Sequence, residues 1–429
     1  MDLAEKKTEM LLADVGNGLL EMGKDGKTLY LFSGKGMYKI EGKSKTPITF
    51  AAKFEYRGAK EREYMFDHVV KQVANKFYDK DLHGVDWQGY ADNYRAFLPE
   101  INNNYDYAEM LSELLGELNA SHTGARYGGR PANRSTASLG LFYDDSYEGV
   151  GVKIAEVIPG GPMDKAKSIA KPGVIITKVN GEEIAPDKPI EYYINGHTGE
   201  WITLTLKGTD QKEVEEQVRP TARWEESELL YRRWVEQRAK MVEEWSGGKI
   251  AYVHVEGMDS PSFRKTFKDL LGKYRHCDAV IIDTRFNGGG WLHEDLVTLL
   301  TGKLYSKFAP RGQFIGNDPF AQWTKPSAVL MSEGNYSNAH GFPWVYKTLG
   351  IGKLIGAPVP GTMTAVWWET LVDPSLVFGI PQVTVTDVNG NALENHQLEP
   401  DILIYNTPEE AQRNYDAQLK AAVDELMKK

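Results

Sequence analysis

The spacing of apolar positions changes along the chain. In residues 15–57, short extended runs such as Thr28–Phe32 and Met37–Ile40 lie between Gly-rich turns, a pattern typical of antiparallel strands. From Lys60 the apolar positions recur every three or four residues, which predicts amphipathic helices. The helical positions are Met65, Phe66, Val69, Val70, Val73, Phe77, then Trp87, Tyr90, Tyr94, Leu98, then Met110, Leu111, Leu114, Leu115 and Leu118. We therefore expect a β-strand segment at 1–57, too small to fold alone, and a small helical domain at 58–130.

A turn-rich basic linker, residues 126–135, leads into a compact β unit at 136–220. Its predicted strands are Ser138–Phe142, Val152–Ile158, Gly173–Val179 and, as the last strand, Trp201–Leu206. This unit resembles a PDZ domain, because S-L-G-L-F stands where such domains carry their carboxylate-binding loop. The stretch Pro172–Ile184 also matches their most recognisable strand and turn.

Strands and helices alternate through the rest of the chain. A polar helix over residues 224–246 is followed by strands at Ile250–Val255, Ala279–Asp283 and Pro326–Ser332, with a helix at Ser262–Tyr274 between the first two. Such alternation predicts a mostly parallel sheet. The predicted fold class is multidomain α+β and α/β, with a small helical domain, a PDZ-like β domain, an α/β sandwich catalytic domain at 221–429 and an N-terminal β remnant.

Composition and charge narrow the classes of function. The chain has 429 residues, is 41% hydrophobic and carries a net charge of −10, which argues against a nucleic acid or an anionic membrane as partner. No apolar run approaches membrane-spanning length, and the first residues are charged where a signal peptide is apolar. The single cysteine, Cys277, allows no internal disulfide. We expect a cytoplasmic protein, unless a targeting segment precedes Met1.

Motifs for metals, nucleotides and α/β-hydrolase chemistry are missing from the sequence. The chain has no H-E-x-x-H pair, no phosphate-binding loop of the G-x-x-x-x-G-K type and no G-x-S-x-G turn. We therefore predict no cofactor and no metal site.

Four short segments are unusual for a purely structural role, although each also has a plain interpretation. Leu118–Gly124 places Ser-His at a helix end, where His is often solvated, and Leu393–Asp401 reads as a polar surface loop. Ile281–Gly290 ends in three glycines after a buried strand, which suits either a flexible turn or an oxyanion site. Leu330–Gly341 presents Ser337 before a helix, where Ser serves either as an N-cap or as a nucleophile.

Taken in order around the PDZ-like unit, these segments resemble the tricorn proteases, relatives of the C-terminal processing peptidases. The shared order is a helical domain with S-H, a PDZ unit, and an α/β domain with D-x-R-x-N-G-G-G, a serine turn and E-N-H-x-x-E-P-D. The resemblance covers residues 60–429, and residues 1–57 fit the end of a tricorn propeller.

The resemblance implies a serine peptidase with a tetrad. Its nucleophile is Ser337 and its general base is His122, while Ser121 and Glu394 orient the base. The oxyanion donors are the backbone amide of Gly288 or Gly289 in the Gly-rich turn and the backbone amide of Asn338. Because a serine hydroxyl is a weak nucleophile at neutral pH, it needs an adjacent base held in the right tautomer.

The resemblance also implies peptide or unfolded-protein substrates, in particular oligopeptides produced by a larger protease, and a homo-oligomer that is a hexamer in full-length tricorn enzymes. Asn338 departs from the Asp common in the family, but only its backbone amide is needed. Residues 305–312 lack the acid that selects basic P1 residues in archaeal enzymes, so we expect apolar or broad P1 specificity.

Alternatives remain open at this level. The chain can be a catalytically silent, PDZ-containing peptide-binding scaffold, or a processing peptidase with a Ser-Lys dyad, for which Lys347 and Lys353 are the nearest candidates. A PDZ unit that docks the C-terminus of a partner protein is compatible with either activity.

Overall fold

The structure is a computed structural model that describes residues 17–34, 36–42, 44–51, 57–129 and 135–428, together with positions 10, 53 and 55. Residues 130–134 of the predicted linker, and most of residues 1–16, lie outside the described residues. The chain divides into two compact units, residues 1–61 and residues 62–429. Within the described ranges, no helix is both long and apolar enough to cross a membrane.

The first unit contains an antiparallel sheet in which each strand pairs with the next. Its strands are β1 (Gly18–Met22), β2 (Leu29–Ser33), β3 (Gly36–Glu41) and β4 (Ser44–Pro47). Leu31 and Ile40 supply its buried side chains. The two predicted strands are thus present, and their origin in a propeller stays a prediction.

Three helices follow, at the positions that the apolar spacing predicts. They are α1 (Gly58–Lys76), α2 (Trp87–Arg95) and α3 (Asn104–Gly116), and a short strand β5 (Gly124–Tyr127) follows them. The Asp86 side chain accepts a hydrogen bond from Gly89 N at the start of α2, and Asn103 does the same for Asp106 N at α3. These caps satisfy amide groups that the first helical turn leaves free.

The PDZ-like unit contains a main antiparallel sheet, a second sheet of two short strands and a short helix. Its elements are β6 (Ala137–Ser138), β7 (Leu141–Tyr143), β8 (Val152–Val157), β9 (Ile175–Val179), β10 (Glu182–Glu183), α4 (Glu191–Ile194), β11 (Ile202–Lys207), β12 (Glu213–Val218) and β13 (Thr221–Ala222). The main sheet runs in the order β12-β11-β9-β8-β7. The prediction that Trp201–Leu206 is the last strand was wrong, because β12 pairs with β11 along its whole length. The sequence E-V-E-E-Q-V gives little apolar signal for a strand, because most of these side chains are exposed and polar.

The remaining chain forms a parallel sheet with helices. The elements are α5 (Arg223–Ser246), β14 (Ile250–His254), α6 (Ser260–Lys268), β15 (Ala279–Asp283), α7 (His293–Leu300), β16 (Ser306–Phe308), β17 (Gly316–Asp318), β18 (Ser327–Met331), α8 (Asn338–Thr348), β19 (Lys353–Gly356), β20 (Thr364–Thr370), β21 (Leu376–Thr384), β22 (Ile402–Leu403), α9 (Pro408–Gln412) and α10 (Ala417–Met427). The sheet order is β14-β15-β18-β19-β22, and every neighbouring pair is parallel. The predicted mostly parallel sheet is confirmed.

One hairpin of this late region belongs to the core of the early helices. Strands β20 and β21 pair with each other, and β21 also pairs with β5. Leu371, Leu376, Phe378 and Ile380 are buried in one cluster with side chains of α1 and α3. The hydrophobic effect therefore joins residues 364–384 to the segment that carries His122.

A buried ion cluster fixes the start of the Gly-rich turn after β15. Arg285 donates to Asp283 Oδ2 at 2.7 Å and to Asp416 Oδ2 at 2.9 Å, and all three side chains are at most 2% exposed. Tyr252 donates to Asp283 Oδ2 at 2.8 Å, and Arg238 lies 3.5 Å from Asp416. Charges buried this deeply are tolerable only when they are paired and hydrogen-bonded.

We expect Arg285→Met to lower the free energy of unfolding by about 3–5 kcal/mol, because it leaves the buried Asp283 carboxylate without a cation and Asp416 with Arg238 alone. Urea unfolding followed by far-UV circular dichroism measures this. Arg223→Met is the matched control, since that side chain is 70% exposed and lies 4.0 Å from Glu226, and its loss is expected to cost under about 1 kcal/mol. Similar small effects for both variants would contradict the importance of the buried cluster.

Candidate active site

Ser337 lies in the sharp turn between β18 and α8. Its backbone has φ 56° and ψ −124°, a conformation that costs a residue with a Cβ about 1–3 kcal/mol. Ser337 occupies the N-cap position of α8, but its side chain makes no capping hydrogen bond. Its amide donates to Thr362 Oγ1 at 3.1 Å. A strained, half-buried serine whose hydroxyl does not cap its helix fits the nucleophile interpretation better than the N-cap interpretation.

Asn335 and Asn287 hold this turn in place. Asn335 Nδ2 donates to Thr284 Oγ1 at 2.9 Å and to Ala339 O at 3.0 Å, and Tyr336 N donates to Asn287 O at 3.0 Å. The turn before Ser337 is therefore tied both to its own helix and to the Gly-rich turn after β15.

The Gly-rich turn touches the serine directly. Gly289 has φ 97°, and a Cβ built there would lie 2.6 Å from Ser337 Cβ and 2.8 Å from Tyr336 O. Only glycine fits such a backbone and such a contact. The absence of a side chain at this position is what allows the two turns to meet.

The three predicted oxyanion donors differ in availability. Gly289 N already donates to Asn287 Oδ1 at 2.8 Å, so its amide is engaged. Within the described residues, the amides of Gly288 and Asn338 have no protein acceptor. These two amides are the ones free to bind a negatively charged oxygen.

The side chain of Asn338 has a structural role at the start of α7. Its Oδ1 accepts from Leu292 N at 2.8 Å and from His293 N at 3.0 Å, while its Nδ2 lies 2.7 Å from His293 Nδ1. Asn338 therefore caps the start of α7 from the neighbouring helix. An Asp would accept the same two amides but has no N–H group to donate to the ring nitrogen of His293.

His122 and Ser121 lie in the turn before β5, where they meet the late segment around Glu394. Ser121 Oγ donates to Glu394 Oε2 at 2.9 Å and lies 2.9 Å from His122 Nδ1. The Glu394 carboxylate is 3% exposed and also accepts the amides of Ser121 and Met363, each at 2.5 Å. Ser121 and Glu394 are thus in contact, although 273 positions separate them in sequence.

The hydrogen bonds around His122 favour one tautomer of its ring. A carboxylate only accepts hydrogen bonds, so Ser121 must donate its hydroxyl hydrogen to Glu394. Thr364 Oγ1, which lies 2.9 Å from His122 Nδ1, donates to Ser121 O at 3.1 Å. Both hydroxyl oxygens can then accept from Nδ1–H, which leaves Nε2 as the unprotonated nitrogen. That is the form a general base requires.

Tyr336, the residue before Ser337, links the histidine to the serine turn. Its hydroxyl oxygen accepts from His122 N at 2.7 Å, and the two ring centroids are 4.8 Å apart. Among the described residues, no hydrogen bond joins the Ser337 hydroxyl to His122 Nε2. Such bonds are often long before substrate binds. His122 itself has φ 66°, so the backbone is strained both at the histidine and at Ser337.

Sequence reasoning missed several residues of the site. Thr362 and Thr364 alternate in G-T-M-T, so both hydroxyls lie on one face of an extended segment, which is the only signal the sequence offers. Tyr336 carries no signal at all, because its role depends on the approach of His122 from a remote segment.

The chain resembles known proteins in sequence and in fold. The tricorn protease C1 domain matches residues 59–116, and peptidase family S41 matches residues 249–404. The chain is 28% identical to tricorn protease homolog 1 of Streptomyces coelicolor over 98% of its length, and 23% identical to the tricorn protease of Thermoplasma acidophilum over 85%. The crystal structure of the tricorn protease matches the whole chain with a TM-score of 0.83 at 20% identity. The resemblance and the fold class are confirmed.

The chain is shorter than these relatives. It covers 41% of the Streptomyces protein, 33% of the Thermoplasma protein and 42% of the chain in the tricorn crystal structure.

We expect Gly289→Ala to abolish the reactivity of Ser337 toward a fluorophosphonate probe, because the new Cβ collides with the serine and strains a left-handed backbone. In-gel fluorescence of the labelled protein measures this. Gly272→Ala is the control, since a Cβ there meets no atom within 4 Å. Undiminished labelling of Gly289→Ala would show that the two turns are not in contact.

The rate of labelling is expected to depend on the protonation of His122. Burial lowers the pKa of His122 below its ordinary 6.5, so the imidazole stays neutral, and able to accept a proton, to lower pH. The rate should therefore fall as the pH falls, with a midpoint below 6.5. His197→Asn, at a half-exposed histidine of the PDZ-like unit, should leave this midpoint in place. A midpoint clearly above 6.5 would contradict a buried histidine base.

Proposed function

Because residues 59–116 match the tricorn protease C1 domain and residues 249–404 match peptidase family S41, we propose that this chain is a serine endopeptidase with Ser337 as nucleophile. The observation that carries the proposal is the hydrogen-bonded series Glu394–Ser121–His122, held by Tyr336 beside the strained turn of Ser337. A structural loop needs neither a buried carboxylate with three donors nor a histidine held by two hydroxyl groups at Nδ1.

In the proposed reaction, Ser337 Oγ bonds to the carbonyl carbon of the scissile peptide as its proton passes to His122 Nε2. The carbonyl oxygen becomes negatively charged and is bound by the amides of Gly288 and Asn338, each worth about 3 kcal/mol. The carbon–nitrogen bond then breaks, and His122 returns the proton to the leaving amine. Water repeats the sequence on the acyl-enzyme and releases the acid.

Ser121, Thr364 and Glu394 act through His122 in this scheme. They keep hydrogen on Nδ1, and the carboxylate of Glu394 stabilises the imidazolium that forms when Nε2 takes the proton. Because Ser121 lies between Glu394 and His122, the carboxylate acts on the imidazole ring through the Ser121 hydroxyl group.

We propose oligopeptides released by a larger protease as the substrates. No acidic residue occurs in 305–312, so we expect cleavage after apolar or varied residues rather than after Lys or Arg. We also propose a homo-oligomer, which is a hexamer if this chain is part of a full-length tricorn-like protein.

A Ser-Lys dyad is less consistent with the geometry. Lys347 donates to Glu399 O at 2.7 Å and lies 4.0 Å from Asp401. Lys353 is exposed at the amino end of β19, whereas Ser337 follows the carboxyl end of the parallel strand β18. Neither lysine is placed to accept a proton from Ser337.

Docking of a partner C-terminus on the PDZ-like unit is disfavoured by a contact within the chain. In the loop expected to bind a carboxylate, Ser138 Oγ donates to the side-chain carboxylate of Glu226 on α5 and accepts from Gly140 N at 2.9 Å. The carboxylate of Glu226 therefore already binds the hydroxyl group of Ser138 in this loop.

The proposed function predicts the pattern of fluorophosphonate labelling. The intact protein should be labelled, Ser337→Ala should not be labelled at all, and His122→Ala should be labelled at least about a hundredfold more slowly, because the base is gone. Glu394→Gln should fall in between, since it removes charge but keeps the shape.

Ser260→Ala, at an exposed serine of α6, is the matched control and should be labelled like the intact protein. Absence of labelling in the intact, folded protein would favour the catalytically silent scaffold. Retention of labelling in Ser337→Ala would place the nucleophile elsewhere.

A further inference from the structure

An aromatic pocket lies beside the candidate active site, between helix α5 and the carboxyl end of β14. The cavity measures about 550 Å³. Its walls are the rings of Trp224, Tyr231, Trp234 and Phe286 and the carboxylates of Glu228 and Glu256. Trp224, Glu228 and Tyr231 are spaced by four and three residues, so they lie on one face of α5.

Two of the rings are unusually open to water. Trp224 is 69% exposed and Phe286 is 68% exposed. Trp234 lies between the pocket and the core, with its ring centroid 6.2 Å from that of Phe286 at 73°. Large aromatic surfaces left in water around a concavity are typical of binding sites.

The backbone of Phe286 is held in a costly conformation that keeps its ring in this position. Its φ is 64°, rare for a residue with a Cβ, and the ion cluster at Arg285 and the Asn287–Val255 hydrogen bond of 2.8 Å fix both of its neighbours. The ring packs against Gly334, where any Cβ would lie 2.9 Å from it. Strain of this kind concentrates at functional positions.

The uncharged polar groups of the pocket satisfy one another. Tyr231 OH lies 2.8 Å from His254 Nδ1, and His254 Nε2 lies 3.0 Å from Arg285 O. Because a carbonyl only accepts, Nε2 carries hydrogen and Nδ1 accepts from the tyrosine. The ring faces and the two carboxylates are therefore what the pocket offers to a ligand.

The two carboxylates give the pocket a negative character. Burial and the nearby Glu228 raise the pKa of Glu256, and Lys265 only partly offsets them. Arg232 lies 3.6 Å from Glu228, and since the two side chains are 67% and 37% exposed, water weakens the attraction between them. A cation placed between the carboxylates and the rings would relieve their repulsion and gain cation–π attraction.

The pocket and Ser337 lie at the same edge of the parallel sheet. His254 ends β14, and Ser337 follows β18, two strands away. Two strand spacings are about 10 Å, and an extended peptide advances about 3.3 Å per residue. By these spacings, a peptide extended from Ser337 across the sheet would come to the end of β14, where the pocket begins, with a residue about three positions from the bond to be cleaved.

We propose that the aromatic pocket binds an ammonium group of the peptide substrate, about three residues from the scissile bond. The ammonium is either the α-amino group of the peptide or the side chain of a lysine. This inference rests on the proposed function for the identity of the ligand as a substrate, whereas the pocket itself is a feature of the fold.

Binding is tested on Ser337→Ala protein, so that no hydrolysis occurs. The probes are hexapeptides with a C-terminal fluorescein, in which lysine stands three residues to either side of the central bond. Each peptide is prepared with both amines free, with either one acetylated, and with both acetylated. Fluorescence anisotropy should show about tenfold weaker binding when the relevant ammonium is acetylated, and the two singly acetylated forms tell which amine it is.

The pocket is identified by variants in the same background. Glu228→Gln combined with Glu256→Gln should bring the affinity ratio between free and acetylated peptides close to one, and Trp224→Ala should lower it. Glu244→Gln, at an exposed acid on the same helix, should keep the full ratio. Thermal unfolding followed by circular dichroism checks that each variant is folded.

Equal binding of free and acetylated peptides, no measurable binding of any peptide, or a preference that survives in the double variant would each overturn the proposal. Failure of the proposed function has a different signature. In that case the intact protein resists fluorophosphonate labelling, whatever the anisotropy of Ser337→Ala shows.

Discussion

The buried Glu394 carboxylate is the constraint on which the rest of the site depends. It accepts the Ser121 hydroxyl at 2.9 Å and the amides of Ser121 and Met363 at 2.5 Å, so one side chain joins the early and late parts of the chain. A carboxylate buried to this degree is stable only when its oxygens are satisfied. The segment carrying His122 is therefore held where its ring meets Thr364 and Tyr336. Apolar packing of β21 on the early helices supplies the remaining attraction.

The same region concentrates unfavourable backbone geometry. His122, Phe286 and Ser337 all have positive φ, and Gly289 has φ 97° where the two turns touch. Each of the three residues with a Cβ costs about 1–3 kcal/mol in this conformation. The conformation persists only when the surrounding contacts determine it. Here the surroundings are identifiable, namely the Arg285 cluster after β15, Asn287 and Asn335 around the turns, and the Glu394 network. The stability of the fold thus maintains a strained site, as expected for a site whose groups must be preorganised.

The sequence predicted whatever depends on local periodicity and missed whatever depends on distant partners. Helix α3 and strand β15 follow from apolar spacing, and the motifs around Ser337 and His122 stand out within short segments. Strand β12 escaped because its exposed polar side chains hide the alternation. The hydrogen bond of Thr364 with His122 arises only when segments far apart in the sequence meet. The aromatic pocket needs α5 and β14 to pack together, which no pattern within either element reveals.

The central claim is that the imidazole of His122 accepts the proton of the Ser337 hydroxyl group. A crystal structure of the protein inactivated by a peptidyl phosphonate tests it most directly, because the adduct mimics the tetrahedral intermediate. The account predicts a bond from phosphorus to Ser337 Oγ, a phosphonyl oxygen about 3 Å from the amides of Gly288 and Asn338, and His122 Nε2 within about 3.2 Å of Ser337 Oγ or the phosphonate. An adduct at Ser337 with His122 turned away, or with the oxygen bound by other donors, would contradict it.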